Sequence, residues 1–252
     1  MESLRVISFE YGEPAANMAF DEAIAMAVGA GKSPPTLRLY SWEPSAVSIG
    51  YFQELRDEVD LEFCHIHGIE VIRRITGGGA VLHTIGELTY SFAVSDKDPA
   101  VPQDVQGSYI KICAPIIAAL RRFGVNAVFK PINDIEIGGR KVSGNAQTRR
   151  FGAVLQHGTI LLDLDISLLG ALRVNAEKLR SKGAADAKSR VITLKEATKM
   201  VIGHEKLGEA LIDEFGIHFR CRIEKSVPSF DELSRVPTLA MKHKSIDWLF
   251  RR

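Results

Sequence analysis

Apolar and polar positions follow different periods in different parts of the chain. Between Pro14 and Val28, Met18, Ile24, Met26 and Val28 sit among alanines, which predicts a helix that Gly29, Gly31 and Pro34 terminate. Thr36–Trp42 and Ala46–Phe52 are β-rich runs split by Glu43-Pro44-Ser45 and read as a strand pair. Glu58–His67 predicts a short helix closed by Gly68, and Ile69–Arg74 a strand running into Gly77-Gly78-Gly79. Glu87–Ser95 alternates with the two-residue period of a strand. Ser108–Phe123 reads as a long helix stopped by Gly124, with Pro115 predicting a kink or a late start. Strands are expected at Ala127–Lys130, Asp134–Ile137, Arg140–Val142 and Val154–Leu162, with Gly138-Gly139 as a hairpin signal. The last third turns helical. Thr193-Leu-Lys-Glu196 and Ser229-Phe-Asp-Glu232 are capping-box patterns, and Phe215–Arg222 reads as one late strand.

Strands in the middle bracketed by helices, without a regular βαβ rhythm, predict an α+β (mixed α/β) fold. The 252 residues suit one large domain, with a weak boundary near Leu164–Lys188. Apolar residues at 46% and charged residues at 25% can bury a continuous core, which excludes a disordered chain. The net charge of +1 excludes a broad field for nucleic acid or anionic membrane. Cys64, Cys113 and Cys221 are odd in number and far apart, with no CxxC or zinc-ligand spacing. No run approaches the ~18 apolar residues of a transmembrane helix. A cytoplasmic location and no resident metal are therefore expected.

Two clusters carry candidate chemistry. In Arg73-Arg74-Ile75-Thr76-Gly77-Gly78-Gly79-Ala80-Val81-Leu82-His83, glycines after a strand let the backbone approach a ligand, and their amides can form an anion nest. The two arginines add fork-shaped donors for phosphate or carboxylate. No Gly-Lys-Ser/Thr follows, so this is not a Walker loop; a tight turn with solvated arginines is the competing reading. In the second cluster, Asn133-Asp134 precede Gly139-Arg140-Lys141-Val142-Ser143-Gly144. Lys141 and Ser143 on one strand face would point into a cleft, where the Lys141 ammonium can stabilise charge developing in acyl transfer. A solvated hairpin is the alternative. His83 and His157 taken singly read as satisfied core histidines. Glu87, Asp163, Asp165 and Ser189 read as surface or cap residues.

Taken in order, Arg73-Arg74-x-Thr-Gly-Gly-Gly-Ala-Val-x-His83, Asn133-Asp134, Gly139-Arg-Lys-Val-Ser-Gly-x-Ala146 and His157-Gly-Thr-x-Leu-Leu162 resemble the lipoate–protein ligase family. Asn17–Ala23, Ser48–Gln53, Lys178–Gly183, Ser189–Val191 and Lys242–Trp248 extend the resemblance over nearly the whole chain. It implies the biotin/lipoyl protein ligase-like fold, with a main mixed sheet, a smaller sheet and flanking helices. It further implies a single catalytic domain over residues 1–252 that lacks the C-terminal accessory domain of many bacterial ligases. The expected reaction is then ATP-dependent: lipoate or octanoate and ATP, with magnesium, give an acyl-adenylate, which a lysine of an acceptor lipoyl domain attacks. Acceptors would be the 2-oxoacid dehydrogenase E2 or the glycine cleavage H protein, with a small separate protein as a candidate accessory subunit. Carried over residue by residue, Arg74, Gly77, Gly78, Gly79, Ala80, Val81, Leu82, Asn133, Asp134 and Lys141 would bind ATP and the adenylate. Arg73, His83, Gly144 and His157 would join Lys141 at lipoate, and Lys141 would be catalytic. Thr84 departs from the family's aspartate after the histidine, which puts that aspartate's metal or ribose contacts in doubt.

An octanoyltransferase of the same fold is the second reading. Gln156–Asp165 and Glu87–Ser91 resemble that branch, which moves octanoyl from acyl carrier protein through a cysteine thioester. The loop between Val128 and Asn133 is short and lacks cysteine, and Cys64 and Cys113 lie in predicted helices, so the ligase is expected. A non-catalytic protein that binds lipoate or a lipoyl domain is the third reading; Arg74, the triplet and Lys141 argue against it.

Overall fold

The computed structural model describes residues 1–173 and 190–251. Lys178–Gly183, Ser189 and most of the expected boundary near Leu164–Lys188 lie outside the described residues. The strands are β1 (Ser3–Gly12), β2 (Thr36–Trp42), β3 (Ala46–Ile49), β4 (Glu70–Arg73), β5 (Val81–His83), β6 (Glu87–Ser95), β7 (Ala127–Lys130), β8 (Asp134–Ile137), β9 (Arg140–Arg150), β10 (Ala153–Leu161) and β11 (Arg222–Ser226). Among the described residues they form an eight-stranded mixed sheet, β11-β1-β2-β6-β10-β9-β8-β7, and a small sheet, β4-β3-β5. β1 runs parallel to β2 and β11; the remaining pairs of the large sheet are antiparallel. This is the α+β arrangement of a large mixed sheet with a smaller one.

The helices are α1 (Pro14–Gly29), α2 (Leu55–Glu58), α3 (Leu61–Ile66), α4 (Val105–Arg121), α5 (Leu194–Thr198), α6 (His204–Phe219), α7 (Phe230–Lys244) and α8 (Ile246–Leu249). α4 and α6 cover one face of the large sheet. There Leu4, Leu37, Tyr90 and Phe92 pack against Ile112, Ile116, Leu211 and Phe215. α1 lies against β6 and β10 on the other face, with α7 behind it. Burial of this apolar surface, at about 25 cal/mol per Å², is the main favourable term for the fold.

Three sequence expectations need correction. β2 and β3 do not pair: β2 lies between β1 and β6, whereas β3 lies between β4 and β5 in the small sheet. Glu43-Pro44-Ser45 thus carries the chain from one sheet to the other, and pairing partners come from distant sequence. Phe215–Arg222 is not a strand either. Leu207, Leu211, Phe215 and Phe219 recur every four residues and are all buried, so helix α6 continues to Phe219. Arg220, with φ of 52°, then ends it before β11. Pro115 lies inside α4, which starts earlier than expected because the Asp104 side chain accepts from the Gly107 amide. Both anticipated caps form, Thr193 accepting from Glu196 N and Ser229 with Glu232 as a reciprocal box.

Buried carboxylates make the fold acid-sensitive. Burial alone would raise the carboxyls of Asp21, Glu22 and Glu232, but their partners outweigh it and hold all three below the ordinary range. Those partners are His157, Arg38 and Tyr40 for Asp21; His243 and Lys242 for Glu22; and Arg5, the Ser229 amide and Ser33 for Glu232. Burial also holds the His157 imidazole below its usual value, against the pull of Asp21. As pH falls, the unfolded chain takes up each of these protons before the folded one does, so stability falls with it. The urea midpoint is expected to decline from about pH 6.5 downward, most steeply below about pH 4.5. A midpoint that rises on acidification would contradict this assignment.

Candidate active site

The two sheets enclose a cavity of about 120 Å³. Its wall is apolar at Met18, Tyr40, Trp42, Ala80, Val81 and Ala146, and polar at Ser48, Arg74, His83, Asn133, Lys141 and His157. The glycine loop reaches this wall because Gly50 on the adjoining chain has no side chain; a Cβ there would lie 2.0 Å from the Gly78 carbonyl oxygen. Of the three glycines, Gly78 takes a positive φ, 93°. Lys141, on β9, lies over Gly144, where a Cβ would meet its Cε and Nζ at 2.6 Å. Its ammonium sits 2.7 Å from Asp134, and 40% of the side chain remains exposed. Asn133 and Asn145 exchange side-chain to main-chain hydrogen bonds and fix the loop before β8 onto β9.

Arg74 forms the floor of the loop. Nη1 donates to the Ser48 carbonyl and hydroxyl, Nη2 to the carbonyls of Gly77 and Gly79, and Nε to Thr76 and Gly77. All five of its N–H groups are therefore engaged within the chain. Burial lowers its pKa to about 10. The guanidinium shapes the glycine loop and holds positive charge beneath it.

Two buried relays end at the cavity. In the first, the Tyr40 hydroxyl donates to Asp21 at 2.8 Å, His157 Nδ1 lies 2.9 Å from the same carboxylate oxygen, and His157 Nε2 lies 2.7 Å from the Thr76 hydroxyl. Arg38, also buried, donates to Asp21 at 3.3 Å. In the second, Ser48 Oγ lies 2.7 Å from His83 Nε2, and His83 Nδ1 lies 2.7 Å from Glu87. Thr89 donates to the same Glu87 oxygen at 3.0 Å and accepts from the Trp42 indole at 2.8 Å. The Trp42 ring stacks on His83 with centroids 3.9 Å apart. Ser48 and His83 come from the small sheet and Glu87 from the large one, so this relay ties the sheets together.

The structure thus brings together Gly78, Gly79, Ala80, Val81, His83, Asn133, Lys141, Gly144 and His157, with Arg74 beneath them. It places others elsewhere. Arg73, expected at the acyl head, turns away and donates to carbonyls of Gly50, Tyr51, Gln53, Trp248, Leu249 and Arg251, because its neighbour on the strand faces the opposite side. Leu82 packs in the apolar cluster of the small sheet with Val47 and Ile49. Gly77 contributes its carbonyl to Arg74, and Asp134 meets the site through Lys141. Thr84 accepts from the Gly86 amide and shapes the turn between β5 and β6. Glu87 is no surface residue but is 1% exposed at the heart of the second relay. A signal for it exists: Glu87, Thr89 and Ser91 alternate with Leu88, Tyr90 and Phe92, so a strand apolar on one face has a polar second face that is also covered. Asp21 and Ser48 carry no comparable local signal. Asp165 does act as a cap, accepting from the Ser167 amide, and Asp163 pairs with Lys195.

Residues 13–216 match the model of the lipoyl protein ligase A/B catalytic domain, and the chain belongs to that family of enzymes. The octanoyltransferase LipM of Geobacillus kaustophilus is 37% identical, with the alignment covering 100% of this chain and 99% of the relative. That of Bacillus subtilis is 33% identical, covering 100% and 99%. Among solved structures, the bipartite lipoate protein ligase of Thermoplasma acidophilum, studied with its E2 lipoyl domain, has a TM-score of 0.86 at 30% identity and covers 100% of this chain and 98% of its own. A lipoate–protein ligase A bound with ATP gives 0.83 at 28% identity, covering 99% of each. These findings correct the expected reaction. ATP-dependent ligation rests on a missing thiol, and similarity over the full length to octanoyltransferases outweighs it. The reading set second from the sequence fits better. Among the described residues, no helix is long and apolar enough to cross a membrane.

Proposed function

We propose that the chain is an octanoyltransferase that moves an octanoyl group from a thioester on acyl carrier protein to the ε-amine of a lysine on a lipoyl domain, in the cytoplasm. Full-length similarity to octanoyltransferases carries this reading, and the cavity supports it. Met18, Trp42, Ala80 and Val81 offer an apolar lining for an acyl chain, and Lys141, His83 and His157 lie at its polar wall. In this reading Lys141 stabilises negative charge on the carbonyl oxygen as the amine attacks, and the two relays orient the donors around it. A thioester is already an activated acyl group, so the reaction consumes no nucleotide, and the accessory subunit expected for adenylation has no step to serve. The acceptor is proposed to be a lipoyl domain of an E2 subunit or an H protein.

The test is direct. The protein is incubated with octanoyl–acyl carrier protein and an apo lipoyl domain, without ATP, and the domain is weighed by mass spectrometry. Gain of one octanoyl group is the expected result. Acylation that requires ATP and free octanoate or lipoate, with none from the thioester, would overturn the reading.

A further inference from the structure

We propose that Ser48 is the nucleophile of this site and carries the acyl group as an ester, activated by His83 and Glu87; this rests on the octanoyltransferase reading. A transferase that passes an acyl group between two proteins gains from a covalent way-station, since one difficult step becomes two easier ones. No thiol serves here. None of the three cysteines lines the cavity. Cys113, on the inner side of α4, is buried against Gln156, and burial pushes its thiol up to about 12. Cys64 is pushed up to about 11 in the cluster under the small sheet. Cys221 is raised as well, at the junction of α6 and β11. A neutral thiol outside the cavity is no acyl acceptor.

Ser48 has what the cysteines lack. Ser48 is a residue of the cavity lining, and its hydroxyl lies 2.7 Å from His83 Nε2. His83 presents its other nitrogen, Nδ1, to the Glu87 carboxylate at 2.7 Å. That contact assigns the proton to Nδ1 and leaves Nε2 free to accept, the tautomer a general base needs. Glu87 is held in turn by Thr89, and the imidazole plane by stacking on Trp42. Arg74 Nη1 donates to Ser48 Oγ at 3.0 Å. A hydroxyl has one proton and two lone pairs. The proton goes to His83 and one lone pair to Arg74, which leaves one lone pair for attack. The same guanidinium stabilises the oxygen as it loses its proton. A serine kept only for packing would not have a buried cation and a buried imidazole, itself backed by a buried carboxylate, converging on its oxygen.

The steps balance without a further reagent. Ser48 Oγ attacks the thioester carbonyl; the O–C bond forms and the C–S bond breaks. His83 takes the hydroxyl proton and returns it to the leaving thiolate. The neutral amine of the acceptor lysine then attacks the ester carbonyl. The N–C bond forms, the C–O bond breaks, and an amine proton passes through His83 to Ser48 Oγ.

The protein is incubated with octanoyl–acyl carrier protein without acceptor, and digested peptides are mapped by mass spectrometry. One octanoyl group is expected on the peptide containing Ser48, resistant to neutral hydroxylamine and released by alkali. Ser48→Ala is expected to lose the adduct and to lower transfer to the lipoyl domain at least about a thousandfold, while remaining folded with a melting temperature lower by about 2–8 °C, because buried Arg74 and His83 each lose a partner. Ser48→Cys is expected to retain an adduct, now labile to neutral hydroxylamine. If the wild-type protein acylates the acceptor while Ser48→Ala does so within about threefold of it, or the adduct maps elsewhere, Ser48 is overturned and the transferase reading stands. If the wild-type protein acylates nothing from the thioester, both fall.

Discussion

Lys141→Ala is expected to lower acyl transfer by about 10²–10³-fold while leaving the melting temperature within about 3 °C of the parent. The two halves of that statement have separate causes. Lys141 is the ammonium at the cavity wall, carried on β9 and held over Gly144, so its charge faces the space where the reacting carbonyl would lie. A fixed cation aimed at developing negative charge is worth most in the transition state, and its loss should therefore appear in kcat more than in KM. The fold depends on it little. Its ion pair with Asp134 is partly exposed on both sides, a kind of pair that contributes about 0–1 kcal/mol. Lys141→Arg should recover only part of the activity, because a planar fork cannot occupy the place of a compact ammonium. Steady-state kinetics with the thioester donor check the first half and thermal melts the second. Turnover close to normal in Lys141→Ala would remove Lys141 from the mechanism.

The largest effect on stability is expected away from the cavity, at Glu232. Glu232→Ala should cost about 3–5 kcal/mol, a large share of the ~5–15 kcal/mol by which such a protein is stable. Glu232 is fully buried and accepts from four donor groups of three residues. Its carboxylate accepts from both terminal nitrogens of Arg5, from the Ser33 hydroxyl at 2.8 Å and from the Ser229 amide at 2.7 Å, closing the cap of α7. Arg5 lies on β1 and also donates to Thr36 on β2 at 2.9 Å. Removing the carboxylate leaves a buried guanidinium without its counter-charge, an unpaired hydroxyl and an open cap. The cost is that of stranding these groups, not the net worth of the pair. Arg5→Met combined with Glu232→Leu should accordingly be less destabilised than Glu232→Ala alone. Urea denaturation followed by fluorescence measures both; a loss below about 1 kcal/mol in Glu232→Ala would show that α7 is not anchored here.

Glu232 also shows why parts of this protein were legible in advance. Its pairing with Ser229 is a contact three residues apart, and the capping pattern announced it. Its pairing with Arg5 spans 227 residues, and no local pattern could announce that. The same division runs through the active site. The glycine triplet, the Lys141 hairpin and the two histidines were visible as clusters of residues whose types suit an anionic acyl group. Arg73 and Arg74 point in opposite directions, as neighbours in an extended chain do, which a clustering of residue types does not show. The relay from Ser48 through His83 to Glu87 draws on three strands in two sheets, so it exists only once the sheets have met.

By itself, the sequence determined the positions of most helices and strands, the caps of α5 and α7, the family, and the residues around which a site would form. Each of these depends on side-chain periodicity or on contacts a few residues apart, which the order of residues encodes directly. Tertiary structure decided that β2 and β3 belong to different sheets and that Glu87 is an inner residue. It also decided that Arg74 spends its donors on the loop and that the cysteines lie away from the cavity. These depend on which distant strands pair and which faces they bury, and that is settled by the packing of the whole core rather than by any one stretch of chain.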